Sequence, residues 1–135
     1  RAVRDFGAEA VSMEQIFALD VDVFAPCALG AVLNDLTLPL IKAPVIAGAA
    51  NNQLAAARHG ELLMQRGVLY APYYAINAGG IIEIYHETHG YVADKAKAHL
   101  DRIGTVLSQI FERAQAEKKP TQEVADRLAE EIFRK

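Results

Sequence analysis

One cysteine, no tryptophan and no excess of positive charge mark this sequence of 135 residues. A lone Cys27 cannot close an intrachain disulfide, which points to a reduced, cytoplasmic setting. With 14 Lys and Arg against 17 Asp and Glu, the formal net charge is -3 and the cations are scattered rather than striped. That balance excludes the electrostatic footprint of a nucleic-acid binder. No apolar run approaches the ~20 residues of a membrane span, because Pro, Gly, Asn or a charge interrupts each one. Metal and nucleophile chemistry find little footing. His86-Glu87-Thr88-His89 lacks the i, i+4 histidine spacing of a metalloprotease helix, and His59 and His99 add no third ligand in register. No His or Asp is placed to activate Cys27, which reads as an ordinary buried thiol.

What is present is core material. Apolar residues make up 52% of the chain and charged ones 23%, the balance of one soluble globular domain. Arg1 to Gly7 reads as the last turn of a helix closed by glycine; with no Met or signal-like segment ahead of it, the chain is expected to be a piece of a longer protein. Glu9 to Val11 is expected as a very short strand, and Ser12 with Gln15 forms a capping box that opens a short helix. Val21 to Ala25, Val45 to Gly48 and Val68 to Ala71 read as strands. Helices are expected from about Leu29 to Asp35, from Gln53 to Gln65 with Gly67 as the stop, and within Ile76 to Glu87. A long amphipathic helix spans Val92 to Glu117, its apolar stripe running through Ile103, Val106, Ile110 and Ala114. Lys118-Lys119-Pro120 breaks it, and Thr121 caps a final helix. Strand, small-residue turn and helix in repeated order predict an α/β fold with a parallel sheet and crossover helices.

Three of the apolar runs empty into turns of small residues: Ala25-Pro26-Cys27-Ala28-Leu29-Gly30, Gly48-Ala49-Ala50-Asn51-Asn52-Gln53 and Ile76-Asn77-Ala78-Gly79-Gly80. Ligand sites in open α/β sheets gather at the carboxyl ends of strands, and backbone can approach a flat cofactor only where side chains are small. The three turns therefore read as one composite ligand-binding edge. Each part also has a plainer reading. Asn51 and Asn52 suit the N-cap of the following helix, Asn77 with Gly79-Gly80 suits a structural turn, and Ile81 and Ile84 suit a core.

Five motifs in order, Phe24-Ala25-Pro26-Cys27-Ala28-Leu29-Gly30-Ala31, Val45-Ile46-Ala47-Gly48-Ala49-Ala50-Asn51-Asn52-Gln53-Leu54, Arg58-His59-Gly60, Tyr70-Ala71-Pro72 and Ile76-Asn77-Ala78-Gly79-Gly80, resemble the Glu/Leu/Phe/Val amino acid dehydrogenase superfamily. The likeness is greatest to leucine dehydrogenases and extends to Ala125-Asp126-Arg127-Leu128-Ala129-Glu130-Glu131, similar to the family's last helix. The resemblance implies oxidative deamination of an L-amino acid to its 2-oxo acid and ammonia, with NAD as hydride acceptor. It implies that residues 1–90 are the second half of a Rossmann-type NAD-binding domain, an incomplete Rossmann-like sheet, and that residues 91–135 are C-terminal helices packing back on it. A homo-oligomer follows from the same likeness. The Gly-rich pyrophosphate turn, the acidic ribose ligand and the catalytic lysines and aspartate are expected upstream of Arg1. No catalytic residue is then expected in this segment, which alone should be silent and bind NAD poorly.

The resemblance also assigns roles. The backbone of Cys27, Ala28 and Leu29 borders the nicotinamide ribose, Asn51 or Asn52 hydrogen-bonds around ribose and substrate, and Asn77 partners the carboxamide. An amide suits that last task because it offers both a donor and an acceptor. Gly80, Ile81 and Ile84 face the substrate side chain, and two branched aliphatics one helical turn apart make a dry slot for a branched-chain amino acid, leucine foremost. The competing function is a non-catalytic dinucleotide-binding module, which explains the turns but not the likeness in the last helix.

Overall fold

In the computed structural model, which describes residues 1–134, three parallel strands form the centre: β1 Val23–Phe24, β2 Val45–Ile46 and β3 Leu69–Tyr70, in that order across the sheet. Val23 lies opposite Val45 and Val45 opposite Leu69, so Phe24, Ile46 and Tyr70 share one face. That face is buried with Leu33, Leu38, Ile41 and Leu63, while Val23, Val45 and Leu69 stand on the more exposed side. The strands are shorter than the apolar runs that form them. Pro26 and Pro72 carry no N–H to continue a ladder, and the pairing ends with Ala47 N–H on Phe24 O at 3.0 Å and Ala71 N–H on Ile46 O at 2.9 Å.

Around the sheet lie α1 Ala2–Phe6, α2 Arg58–Gln65, α3 Tyr73–Ile76, α4 Gly79–Thr88, α5 Ala93–Glu117 and α6 Thr121–Phe133. The mixed α/β architecture matches the expectation. Gly7 closes α1 in the left-handed region at φ 65°. Ser12 and Gln15 exchange both bonds of a capping box, Ser12 N–H to Gln15 Oε1 at 3.1 Å and Gln15 N–H to Ser12 Oγ at 3.2 Å, and open a 3-10 turn at Gln15–Ala18. Ile110, Ala114, Val124 and Ala125 form a second buried cluster where α5 meets α6, and α5 also packs on α3 and α4. Among the described residues no helix is long and apolar enough to cross a membrane.

Four expectations are corrected. Residues 9–11 form no strand, since they are largely exposed and pair with none. No helix covers Leu29 to Asp35: Ala31 adopts φ 56°, and the N–H groups of Ala31 and Leu33 are taken by Asn52 O at 2.7 Å and Gln53 O at 2.9 Å. Asn34 Oδ1 then accepts from the N–H groups of Leu36 and Thr37, turning the chain over. The helix expected from Gln53 starts only at Arg58, because Leu54 bridges Leu33 and Ala55 N–H donates to Leu33 O at 3.0 Å. Thr121 does not cap α6. Pro120 occupies the cap position, and Thr121 Oγ1 donates to Tyr70 O at 2.7 Å, tying α6 to β3.

Candidate functional site at the carboxyl ends of the strands

The first two turns touch through backbone. A Cβ on Gly48 would stand 2.2 Å from Pro26 O and 2.4 Å from Pro26 N, and Ala50 N–H donates to Pro26 O at 2.9 Å. A Cβ on Gly30 would lie 3.0 Å from Asn51 O. Glycine is required where one backbone crosses another at such a distance. Underneath, the fully buried Gln53 donates from Nε2 to Gly48 O at 2.6 Å and Ala50 O at 2.9 Å, closing the second turn on itself. The sequence reading assigned Gln53 no role; a long polar side chain ending a run of small residues is the signal that could have found it.

The second and third turns meet through side chains. Asn77 Nδ2 donates to Asn51 Oδ1 at 2.8 Å and to Ala49 O at 3.1 Å, and the Tyr73 hydroxyl donates to Asn52 Oδ1 at 2.8 Å. Ala49, Asn51, Tyr73, Asn77 and Ile81 line the resulting open cleft of about 530 Å³. Amide orientations are assigned from this network, and they fix what the cleft can offer. Both protons of the Asn77 amide are engaged within the protein, which leaves its Oδ1 as an acceptor, while the nitrogens of Asn51 and Asn52 remain as donors.

The other expected residues divide. Cys27 is exposed rather than buried, with Ala49 N–H 3.4 Å from its Sγ, so the first turn does reach the cleft's edge. Ala28 and Leu29 are exposed beside Gly30, Leu29 at 79%. Ile81 and Ile84 are 71% and 61% exposed, which removes the core reading, and of the two only Ile81 lines the cleft. Gly80 and Ile84 sit on α4 outside it, and Asn52 also falls outside the lining, joined to it through Tyr73. Asn51 and Asn52 are not helix caps, since α2 begins after Ala57.

Two polar clusters lie apart from the cleft. His86 Nε2 and His99 Nδ1 are 3.3 Å apart, and no group of three potential ligands stands together among the described residues. Buried His59 accepts Ala56 N–H on Nδ1 at 2.9 Å and therefore donates from Nε2 to Asp35 at 3.2 Å. Arg58 pairs with the same carboxylate through both terminal guanidinium nitrogens. Its hydrogen bonds, and next that of His59, hold the Asp35 carboxyl down at about 2 from the usual 3.8.

Fold and cleft together define a parallel α/β unit of the kind whose ligands lie beyond the carboxyl ends of the strands. The glutamate/leucine/phenylalanine/valine dehydrogenase family model matches residues 2–131, and the chain belongs to that family. It is 49% identical over 131 residues to a leucine dehydrogenase of Bacillus subtilis, covering 97% of this chain and 36% of that protein. It is 48% identical over 129 residues to an L-tryptophan dehydrogenase of Nostoc punctiforme, covering 95% of this chain and 36% of that protein. The crystal structure of L-tryptophan dehydrogenase from Nostoc punctiforme superposes with a TM-score of 0.92 at 48% identity, over 96% of this chain and 39% of that one. The resemblance carried by the five motifs is thereby borne out. The chain spans about a third of the length of the curated relatives it matches.

Proposed function

We propose that this chain supplies the nicotinamide side of the cleft, and part of the substrate side-chain pocket, in an NAD-dependent L-amino acid dehydrogenase that oxidises a branched-chain amino acid, leucine foremost, to its 2-oxo acid and ammonia. The single observation that carries the reading is the Asn51–Asn77 pair across two turns that follow parallel strands. Asn77 Oδ1 is free to accept from the amide nitrogen of a carboxamide, and the Asn51 and Asn52 nitrogens are free to donate to ribose hydroxyls or to oxygens of the substrate. The dinucleotide, when bound, supplies the hydride acceptor.

In this reading the protein's own groups here bind and orient. A fixed acceptor at Asn77 sets the rotation of the carboxamide and with it the face of the ring turned to the α-hydrogen, which is proximity catalysis rather than acid–base work. The backbone of the exposed residues Cys27, Ala28 and Leu29 borders the ribose. Ile81 at the cleft, with Gly80 beside it and Ile84 one turn further along α4, forms the apolar wall against the substrate side chain. Cation, base and proton shuttle come from parts of the enzyme that this segment does not contain. Residues 1–90 then form half of a Rossmann-type domain and residues 91–135 its C-terminal helices, within a cytoplasmic homo-oligomer.

Assay of the complete gene product with a panel of amino acids and with NAD or NADP tests this directly. Leucine, valine and isoleucine are expected to support NADH formation with higher kcat/KM than phenylalanine. Trimming the wall by Ile84→Ala is expected to raise kcat/KM for norleucine and phenylalanine relative to leucine by about tenfold, within the discrimination that one or two methylenes provide. Unchanged ratios would remove Ile84 from the pocket.

A further inference from the structure

Asn52 is held unusually for an exposed residue. Its backbone lies in the left-handed region at φ 51°, which asparagine tolerates better than most non-glycine residues. Its carbonyl accepts Ala31 N–H at 2.7 Å, so the main chain is pinned to the first turn. The side chain has one partner in the protein, the Tyr73 hydroxyl on Oδ1 at 2.8 Å. Without that bond the amide would be free to rotate. Tyr73 itself is braced: its ring meets the edge of Tyr74 at a centroid distance of 5.2 Å, and the Tyr74 hydroxyl reaches α6 at Gln122 O, 3.1 Å, and at the Asp126 carboxylate.

We propose that Tyr73, which lines the cleft, is a positioning residue whose hydroxyl holds still, at the cleft's edge, the Asn52 carboxamide, the nitrogen of which has no partner among the described residues. Asn77 does the same for Asn51 from the other end of α3, so this one-turn helix orients two consecutive asparagines at once. The proposal rests on the reading of the cleft as the nicotinamide and substrate site. A phenol is well suited to this work. Its hydroxyl donates to Asn52 Oδ1, and the rigid ring brings it there with only two torsions to fix, so the carboxamide is held in one place rather than left to swing.

Tyr73→Phe, Asn52→Ala and the double variant in the complete gene product test it, with kcat and KM for the amino acid and the thermal midpoint measured for each. Tyr73→Phe is expected to raise KM about tenfold with little change in kcat, because an amide no longer oriented in advance binds substrate less well. The midpoint should move by no more than ~2 °C, since the lost bond is exposed. The double variant should lose no more than Asn52→Ala alone, because Tyr73 acts only through Asn52. Asn52→Asp keeps an acceptor for the phenol but removes the amide donors, and should behave as Asn52→Ala does. Additive losses, or a Tyr73→Phe variant with wild-type KM beside an impaired Asn52→Ala, overturn the positioning role while leaving the cleft reading intact. An Asn52→Ala variant with wild-type kinetics would likewise overturn the positioning role and leave the cleft reading to Asn51 and Asn77.

Discussion

Gly48 has no room for a side chain, and the atoms that exclude it are backbone. With Pro26 O and N at 2.2 and 2.4 Å from a built Cβ, neither turn can yield without moving a strand end. Gly48→Ala is expected to cost ~2–3 kcal/mol, at the upper end of overpacking, read as a fall in the denaturant midpoint at constant slope; Gly60→Ala, which would meet only the flexible end of Gln122, should cost less. Asp35 gives a second expectation at this scale. Its folded pKa of about 2 lies below its ordinary 3.8, so the stability it contributes is complete above about pH 4 and is lost as pH falls toward 2. Asp35→Asn should therefore lower the thermal midpoint at neutral pH and converge on the wild type as pH approaches 2. A gap that stays constant across that range would contradict the pairing with Arg58 and His59. Legibility was uneven among residues. Asn51 and Asn77 announce themselves beside small residues after apolar runs, whereas Tyr73 gains its meaning from a partner 21 residues away and so leaves no local pattern.

The helices divide by what claims their backbone. Along α5 the apolar stripe is regular enough that the expected Val92 to Glu117 and the observed Ala93–Glu117 differ by one residue. Between Leu29 and Asp35 the composition also allows a helix, but the N–H groups of Ala31 and Leu33 bond to the second turn instead, a long-range demand with no periodicity to betray it. Thr121 was misread for a related reason: its hydroxyl finds a strand carbonyl closer to hand than a helix N–H. At this scale stability resides in the α5–α6 seam. Ile110→Ala is expected to cost ~2–5 kcal/mol by opening a cavity among Ala114, Val124 and Ala125. Arg113→Ala, which breaks ion pairs with Glu117 and Glu131 at the surface, should cost much less. Equal losses would show that the seam is held as much by charge as by packing.

Across the whole molecule, parallel strands carry three turns to one edge, and the turns are fastened to one another by backbone contact at Gly30 and Gly48 and by amide and phenol side chains from α3. The order of small-residue turns made that edge legible from sequence. Which valences stay open for a ligand became visible only once the amide network was resolved, because donor and acceptor counts depend on partners distant in the chain. Family membership and the open acceptor on Asn77 together support the proposed dehydrogenase cleft. The most direct measurement is amino-acid-dependent reduction of NAD by the complete gene product, compared with its Asn77→Ala variant. The account predicts leucine-dependent NADH formation that falls about 100-fold in kcat/KM in the variant, the scale of loss when a pre-placed polar partner is removed. It is contradicted if no branched-chain amino acid supports NADH formation, or if Asn77→Ala reduces NAD as fast as the wild type.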